Sequence, residues 1–202
     1  MKLLKDEIFE SILSVARQEF LSKGYKNASM RDIANKANVG LSNVYNYFQN
    51  KDEIYRAIMK PAKNSIFTFI TQQHTEDFFD FSHIAPYGHN ENAIAYYIDL
   101  IEKYKEEYRL LLYCSEGSSM ANFRNELADH ITHISHDYMA LEKKHNSQAR
   151  TVSPFFIHTI SSWMVSILGE IVMHDMDRQK IRDFFYEYFR FSFAGWRELK
   201  GT

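Results

Sequence analysis

The chain has 202 residues, 45% of them apolar, enough for one compact domain or for a small domain beside a larger one. Seven Gly and three Pro leave few helix breakers and favour an all-α fold, while the single cysteine, Cys114, excludes an intramolecular disulfide and suits a reducing compartment. A net charge of −2 taken alone argues against nucleic acid, but residues 1–60 hold ten Lys/Arg against seven Asp/Glu and residues 61–202 fourteen against nineteen, a basic head on an acidic body.

The first predicted helix repeats apolar residues every four positions at Ile8, Ile12, Ala16 and Phe20, with Phe9 and Leu13 beside them. It ends near Ser22, where Lys23 and Gly24 supply a cationic last residue and a glycine stop. Residues 29–48, SMRDIANKANVGLSNVYNYF, then predict two short helices joined by a tight turn. Ser29 is the N-cap of the first, with Asp32 three residues on completing a capping pattern. Ile33, Ala34 and Ala37 form its apolar stripe, and the small alanines allow a close neighbour. Asn38 sits at the reversal, which needs a left-handed residue, and Val39 is buried in the turn. Gly40 caps a second helix over 41–48. Val44 and Phe48 face inward there, and Ser42, Asn43 and Asn46 face outward with the outer parts of Leu41 and Tyr45. This is the layout that sets one helix in the major groove of double-stranded DNA.

These residues resemble the TetR family of bacterial transcription regulators. The likeness rests on Gly24-Tyr25, on Ser29-Met30-Arg31-Asp32-Ile33-Ala34, on Ala37-Asn38-Val39, on Val44-Tyr45-Asn46-Tyr47-Phe48 and on Asn50-Lys51-Asp52-Glu53-Ile54-Tyr55. Asn38 and Gly40 stand where the family usually has Gly and Ser, and Ser42 replaces a frequent Gly. These swaps suit the backbone and bear on the operator sequence more than on the fold. The resemblance and groove chemistry together imply phosphate contacts at Ser29, Arg31, the Tyr45 hydroxyl and Lys51. They imply base-edge contacts at Leu41, Ser42 and Asn43, with Asn46 on the fringe and Gly40 at the helix start. Asn can pair with adenine, and Leu41 offers only apolar contact, as to a thymine methyl. No Arg or Lys lies within the reading helix, so phosphate and shape recognition carry a sizeable share.

This organisation divides the chain into a helix-turn-helix domain over 1–50 and a helical ligand-binding and dimerisation domain over 51–202. A fourth helix starts at Lys51, with a kink expected at Pro61 because proline removes a backbone donor. Linking head and body, its tilt is the natural lever for switching DNA affinity. Residues 74–90, with Phe78, Phe79, Phe81, Pro86, Tyr87 and Gly88, are too aromatic for a solvated loop and are expected to fold over the body as a lid. A helix follows over 92–105 with Ile94, Ile98 and Ile101 on one face, continuing or breaking into 108–114. The next covers 121–144 with the stripe Phe123, Leu127, Ile131, Ile134, Tyr138 and Leu141. Asn146-Ser147-Gln148 and Pro154 mark a break.

The last two helices are the most apolar. Phe155, Ile160, Trp163, Met164, Ile167, Leu168 and Ile171 line much of the first. Phe184, Phe185, Tyr188, Phe189, Phe191, Phe193 and Trp196 line more than one face of the second, so cover is needed on several sides. Self-association into a four-helix bundle across a twofold axis supplies it, and the resemblance implies the same homodimer. The stretch 155–173 contains His158 and Glu170, which makes a membrane span costly. The charged N-terminus shows no secretory signal, so the expected location is cytoplasmic.

The resemblance also implies a small-molecule effector held in the body. Tyr97, Tyr113, Phe123, His158 and Trp163 are the candidate lining of a site for an apolar or aromatic ligand. His130, His133 and His136 share a helix with Asp137, but they diverge around it. No metal, cofactor or catalytic constellation is expected, and hence no enzyme. The implied function is a repressor bound to a palindromic operator and released by its ligand. The alternative is a small-molecule-binding or interaction protein whose helix-turn-helix is only a packing module.

Overall fold

The computed structural model describes residues 2–73, 91–145, 150–174 and 176–201, and these form eight helices with no strand. They are α1 (Lys2–Asn27), α2 (Met30–Lys36), α3 (Leu41–Val44), α4 (Lys51–Gln73), α5 (Glu91–Tyr113), α6 (Phe123–His145), α7 (Pro154–Met173) and α8 (Arg178–Lys200). The expected lid over 74–90 and the break at 146–148 lie outside the described residues. The chain divides into two compact units. The first takes in residues up to Asn64 together with Glu106–Arg124, and the second takes in Ser65–Lys105 and the remainder from Asn125.

The first unit is built on α1. Ile12, Ala16 and Phe20 are fully buried, at the spacing that makes one helical stripe. α2 adds Ile33 and Ala34, α3 adds Val44, and α4 adds Ile54, Tyr55, Met59 and Ala62. Phe48 is buried and stacks on Phe9 at 5.1 Å between centroids. α1 breaks where the sequence expects it to stop: Gly24 has φ 72°, a conformation that residues with a Cβ rarely adopt. The break frees the Tyr25 amide, which donates to the Cys114 carbonyl at 2.9 Å.

One element departs from expectation. The second helix of the motif ends at Val44 rather than Phe48. Tyr45, Asn46 and Tyr47 continue it as tighter turns, with the Asn46 and Tyr47 amides bonded three residues back. Val44 and Phe48 still reach the core, because a tightened turn and a helical turn aim both side chains to the same side. α4 runs through Pro61 with its backbone still helical. The proline ring removes one donor, and the bonds on either side carry the helix across it.

In the second unit the core is aliphatic, from Ile66 and Ile70 of α4, Ile94, Ile98 and Ile101 of α5, and Leu127 and Ile131 of α6. α5 is one helix with a kink at Tyr104 (φ −119°, ψ 21°). α7 is long and apolar enough to cross a membrane by length and composition, yet it buries Ile157, Ser161, Val165, Leu168 and Val172 within the unit. Ser153 caps α7, Asp177 caps α8, and Gly201 ends α8 in the left-handed conformation.

Asn38, the turn residue between α2 and α3, has φ 53°. Only Gly and Asn take that conformation readily, and other side chains lose roughly 1 kcal/mol there. Urea titration of Asn38→Ala should show a loss of about 1 kcal/mol, whereas Asn38→Gly should show none. Equal losses for the two would mean that the asparagine side chain, not its backbone angle, matters.

Candidate nucleic-acid interface

The local chemistry of the motif follows from its caps. The Ser29 hydroxyl oxygen accepts the Asp32 amide at 3.0 Å, so the first turn of α2 starts satisfied. The Val39 amide returns to the Ala34 carbonyl at 3.0 Å and closes the turn, and the Gly40 carbonyl accepts the Asn43 and Val44 amides to open α3. With Val44 fully buried, α3 cannot rotate, and its outer residues are fixed outward. Ser42, Tyr45 and Asn46 are exposed, Tyr45 by half of its surface, and Leu41 and Asn43 are half-buried. The Asn46 amide donates to Asn43 Oδ1 at 3.3 Å. Arg31 is exposed on α2, and Ser29 is half-buried beside it.

Lys51 takes a different position from the expected one. Its ammonium donates to the carbonyls of Tyr25 (2.7 Å), Ala28 (2.8 Å) and Lys26 (3.3 Å), and it lies 4.3 Å above the centre of the Tyr25 ring. Three protons meet three acceptors, so this side chain ties the α1–α2 link to the start of α4 instead of reaching outward. Burial lowers its pKa from the ordinary lysine value. The start of α4 is capped by its own residues: Asn50 Oδ1 accepts the Glu53 amide at 2.9 Å and Glu53 returns to the Gln49 amide at 2.6 Å. The spacing Asn50-x-x-Glu53 is the sequence signal of this capping-box-like pair, with the Glu53 carboxylate on the Gln49 amide.

Further polar groups hold the same unit together. Glu19 is fully buried on α1 and pairs with both Lys23 and Lys36, which ties α1 to α2. Burial by itself would raise the Glu19 pKa. The hydrogen bonds and charges of Lys23 and Lys36 outweigh it and hold this carboxyl below its ordinary value of 4.5. Asp32 is also lowered, by the hydrogen bond from Lys23 at 3.0 Å and then by Ser29. Segment 106–124 is joined by Arg17 to Glu107 (2.6 Å), by Lys26 to Glu116 (2.7 Å) and by the Ser119 amide to Asp52 (2.7 Å). The one sequence clue to Glu19 was its place beside the apolar stripe with a lysine four residues on. Nothing local pointed to the pairing of Asp52 with Ser119.

The five candidate ligand residues fall in both units, and Tyr97 and Trp163 share one aromatic cluster through Phe185 and Tyr188. In the first unit Phe123 is fully buried, and Tyr113 is exposed with the Arg124 guanidinium 6.0 Å from its ring centre. In the second unit Tyr97 stacks on Phe69 at 5.0 Å and meets the edge of Phe185 at 5.1 Å. Trp163 is 40% exposed against Tyr188 and Phe191, and the exposed His158 lies 3.5 Å from the Thr132 hydroxyl. A groove of about 270 Å³ in that unit is lined by Met139, Ala140, Val152, Ile157 and Lys200 among others, and by none of the five. His130 lies against Phe67 and 3.1 Å from the Thr71 hydroxyl, and His133 meets Asp137 at 3.5 Å. Among the described residues no three His, Cys, Asp or Glu side chains gather as metal ligands.

An all-helical chain whose N-terminal unit carries a capped, locked helix-turn-helix with an outward polar face has the architecture of a DNA-binding regulator. Residues 12–58 match the pattern of bacterial regulatory proteins of the tetR family. It is 23% identical over 131 residues to the negative transcriptional regulator IcaR of the biofilm operon icaADBC of Staphylococcus epidermidis. That match spans 65% of this chain and 63% of the relative. A transcriptional regulator of Aquifex aeolicus shares the fold with a TM-score of 0.60 at 18% identity, covering 91% of this chain and 98% of that one. A member of the TetR transcriptional regulator family from Streptomyces coelicolor does so with 0.55 at 17% identity, covering 94% and 89%.

Replacing Lys51 with Met leaves three inward carbonyls without their donor. Because hydrogen bonds to a charged group are worth about 1.5–3 kcal/mol, urea denaturation of Lys51→Met should show a loss of about 2 kcal/mol. A loss within error of zero would mean that the carbonyls find other donors. The two depressed carboxyls set an acid limit. The stability they contribute is complete above their unfolded values of 4.5 and 3.8 and is lost as pH falls through the lower folded values. Thermal melts should therefore fall steeply below about pH 4.5, and Glu19→Gln should be less stable at pH 7 with a shallower acid slope. An unchanged slope would assign the acid loss to other groups.

Proposed function

We propose that this protein is a cytoplasmic transcription repressor that binds a palindromic operator as a homodimer and is released by a small apolar or aromatic ligand. The observation that carries the DNA-binding part is the outward face of Leu41, Ser42, Asn43, Tyr45 and Asn46 on a helix locked by buried Val44, within the stretch that matches the family. Arg31 and Ser29 at the start of α2 take phosphates, and so does the Tyr45 hydroxyl. With the Lys51 ammonium turned inward, the phosphate near α4 is met by the positive end of that helix. The printed role of the Staphylococcus relative, a negative regulator, favours repression.

Dimerisation is supported by the apolar surface that α7 and α8 leave uncovered in one protomer. Phe155 is 79% and Phe191 68% exposed, with Trp163, Met173 and Phe189 also exposed. A second copy supplies their cover and places two reading heads on two half-sites. The ligand acts by preferring the conformation that does not fit DNA, since equal affinity for both would shift nothing. In the second unit the aromatic cluster of Phe69, Tyr97, Phe185, Tyr188 and Trp163 offers surfaces for such a molecule.

Fluorescence anisotropy with labelled duplex from upstream of the protein's own gene tests this. Affinity should fall by orders of magnitude between 50 and 200 mM salt, as for any protein that makes about six to ten phosphate contacts. Arg31→Ala should weaken binding to all sequences alike and reduce the salt slope by about one per protomer. Light scattering of the free protein should give the mass of two chains. Absence of salt-dependent binding would end the proposal.

A further inference from the structure

We infer that the operator half-site read by α3 is built of A·T pairs, with paired carboxamides on Asn43 and Asn46 as the adenine readers. This rests on the DNA-binding function proposed above and specifies the base class it recognises.

Guanine shows two acceptors, O6 and N7, in the major groove, and it is read best by the donor-only forks of Arg or Lys. The outward residues of α3 and the turn after it are Leu41, Ser42, Asn43, Tyr45 and Asn46, and none carries such a fork. The nearby lysine at the start of α4 has its ammonium on three backbone carbonyls. Adenine shows one acceptor, N7, beside one donor, N6, and that is the pattern a carboxamide complements with a single pair of bonds.

Asn43 and Asn46 are three residues apart on one face, and the Asn46 Nδ2 donates to Asn43 Oδ1 at 3.3 Å. The bond orients both amides before DNA arrives. It leaves Asn43 with its NH2 donors and a second lone pair on its oxygen, and it leaves Asn46 with its oxygen and a second N–H. Each amide therefore keeps one donor and one acceptor for an adenine edge, already held in place. Leu41 is half-buried, and its remaining apolar surface suits a thymine methyl, a group found only on A·T pairs in unmodified DNA.

Selection of bound sequences from a random duplex pool with the full-length protein tests the inference. Bases under α3 should be enriched for A·T, and Asn43→Ala should lose that preference at one position. On the selected site, replacing the contacted adenine with 7-deazaadenine should weaken the wild type about tenfold and Asn43→Ala hardly at all. Asn43→Arg should move the preference at that position towards G·C. An invariant G·C pair under α3 in the wild-type selection would overturn the inference, and so would a 7-deaza effect equal in wild type and Asn43→Ala. If no duplex binds in a salt-dependent way, DNA binding itself fails and this inference falls with it.

Discussion

Where α1 ends at the Gly24 break, three carbonyls turn onto one ammonium, that of Lys51. The carbonyls belong to Tyr25 and Lys26, past the break inside α1, and to Ala28 in the short link to α2. Lys51 satisfies them from the first residue of α4, so the entry of α2 and the start of α4 are set by one side chain. The Tyr25 ring beneath the ammonium meets Tyr55 at 5.0 Å, and Tyr55 meets Phe20 at 5.1 Å. The polar clamp therefore stands directly on the core. The orientation of the reading helix depends on this corner because α2 and α3 hang from it.

Charge is used in two ways in the same unit. Buried Glu19 is matched by two lysines and acts as an internal tie between α1 and α2. Breaking such a tie on one side leaves an uncompensated buried charge, which is why the pair is costly to mutate even where its net contribution is small. Arg31, by contrast, stays in solvent where a phosphate can reach it. Of the ten basic residues in 1–60, Lys23, Lys36 and Lys51 hold their ammonium groups on partners within the unit.

The helix-turn-helix was legible because its signals are local. A cap at Ser29, a left-handed residue at Asn38 and two inward residues four apart need no knowledge of distant contacts. The same locality misled at α3, since Val44 and Phe48 satisfy a helix and a tightened turn equally well. The sequence shows Lys51 at a helix start, where a lysine suits a phosphate, while its carbonyl partners lie 23 to 26 residues away near the end of another helix. Single-sequence reasoning sees a lysine at a helix start and assigns it to solvent. The pairs Arg17–Glu107 and Asp52–Ser119 join still more distant stretches, and only the folded chain brings them together. For Tyr97, Tyr113, Phe123, His158 and Trp163 the sequence offers only their place near apolar helix faces, and that place suits a pocket wall and ordinary packing equally.

The first unit is not one continuous stretch of chain. Residues past 105 return to it, and Tyr108, Leu110, Leu111 and Phe123 are buried there beside the helices of the first sixty residues. A chimera that joined the leading residues of this chain to another protein's body would therefore carry an incomplete core and a Tyr25 amide with no Cys114 carbonyl to meet. Exchange of such heads between regulators, in the laboratory or by recombination, has to move two separated segments together. That requirement makes residues 106–124 part of the reading head's unit, although helices of the other unit follow them in sequence.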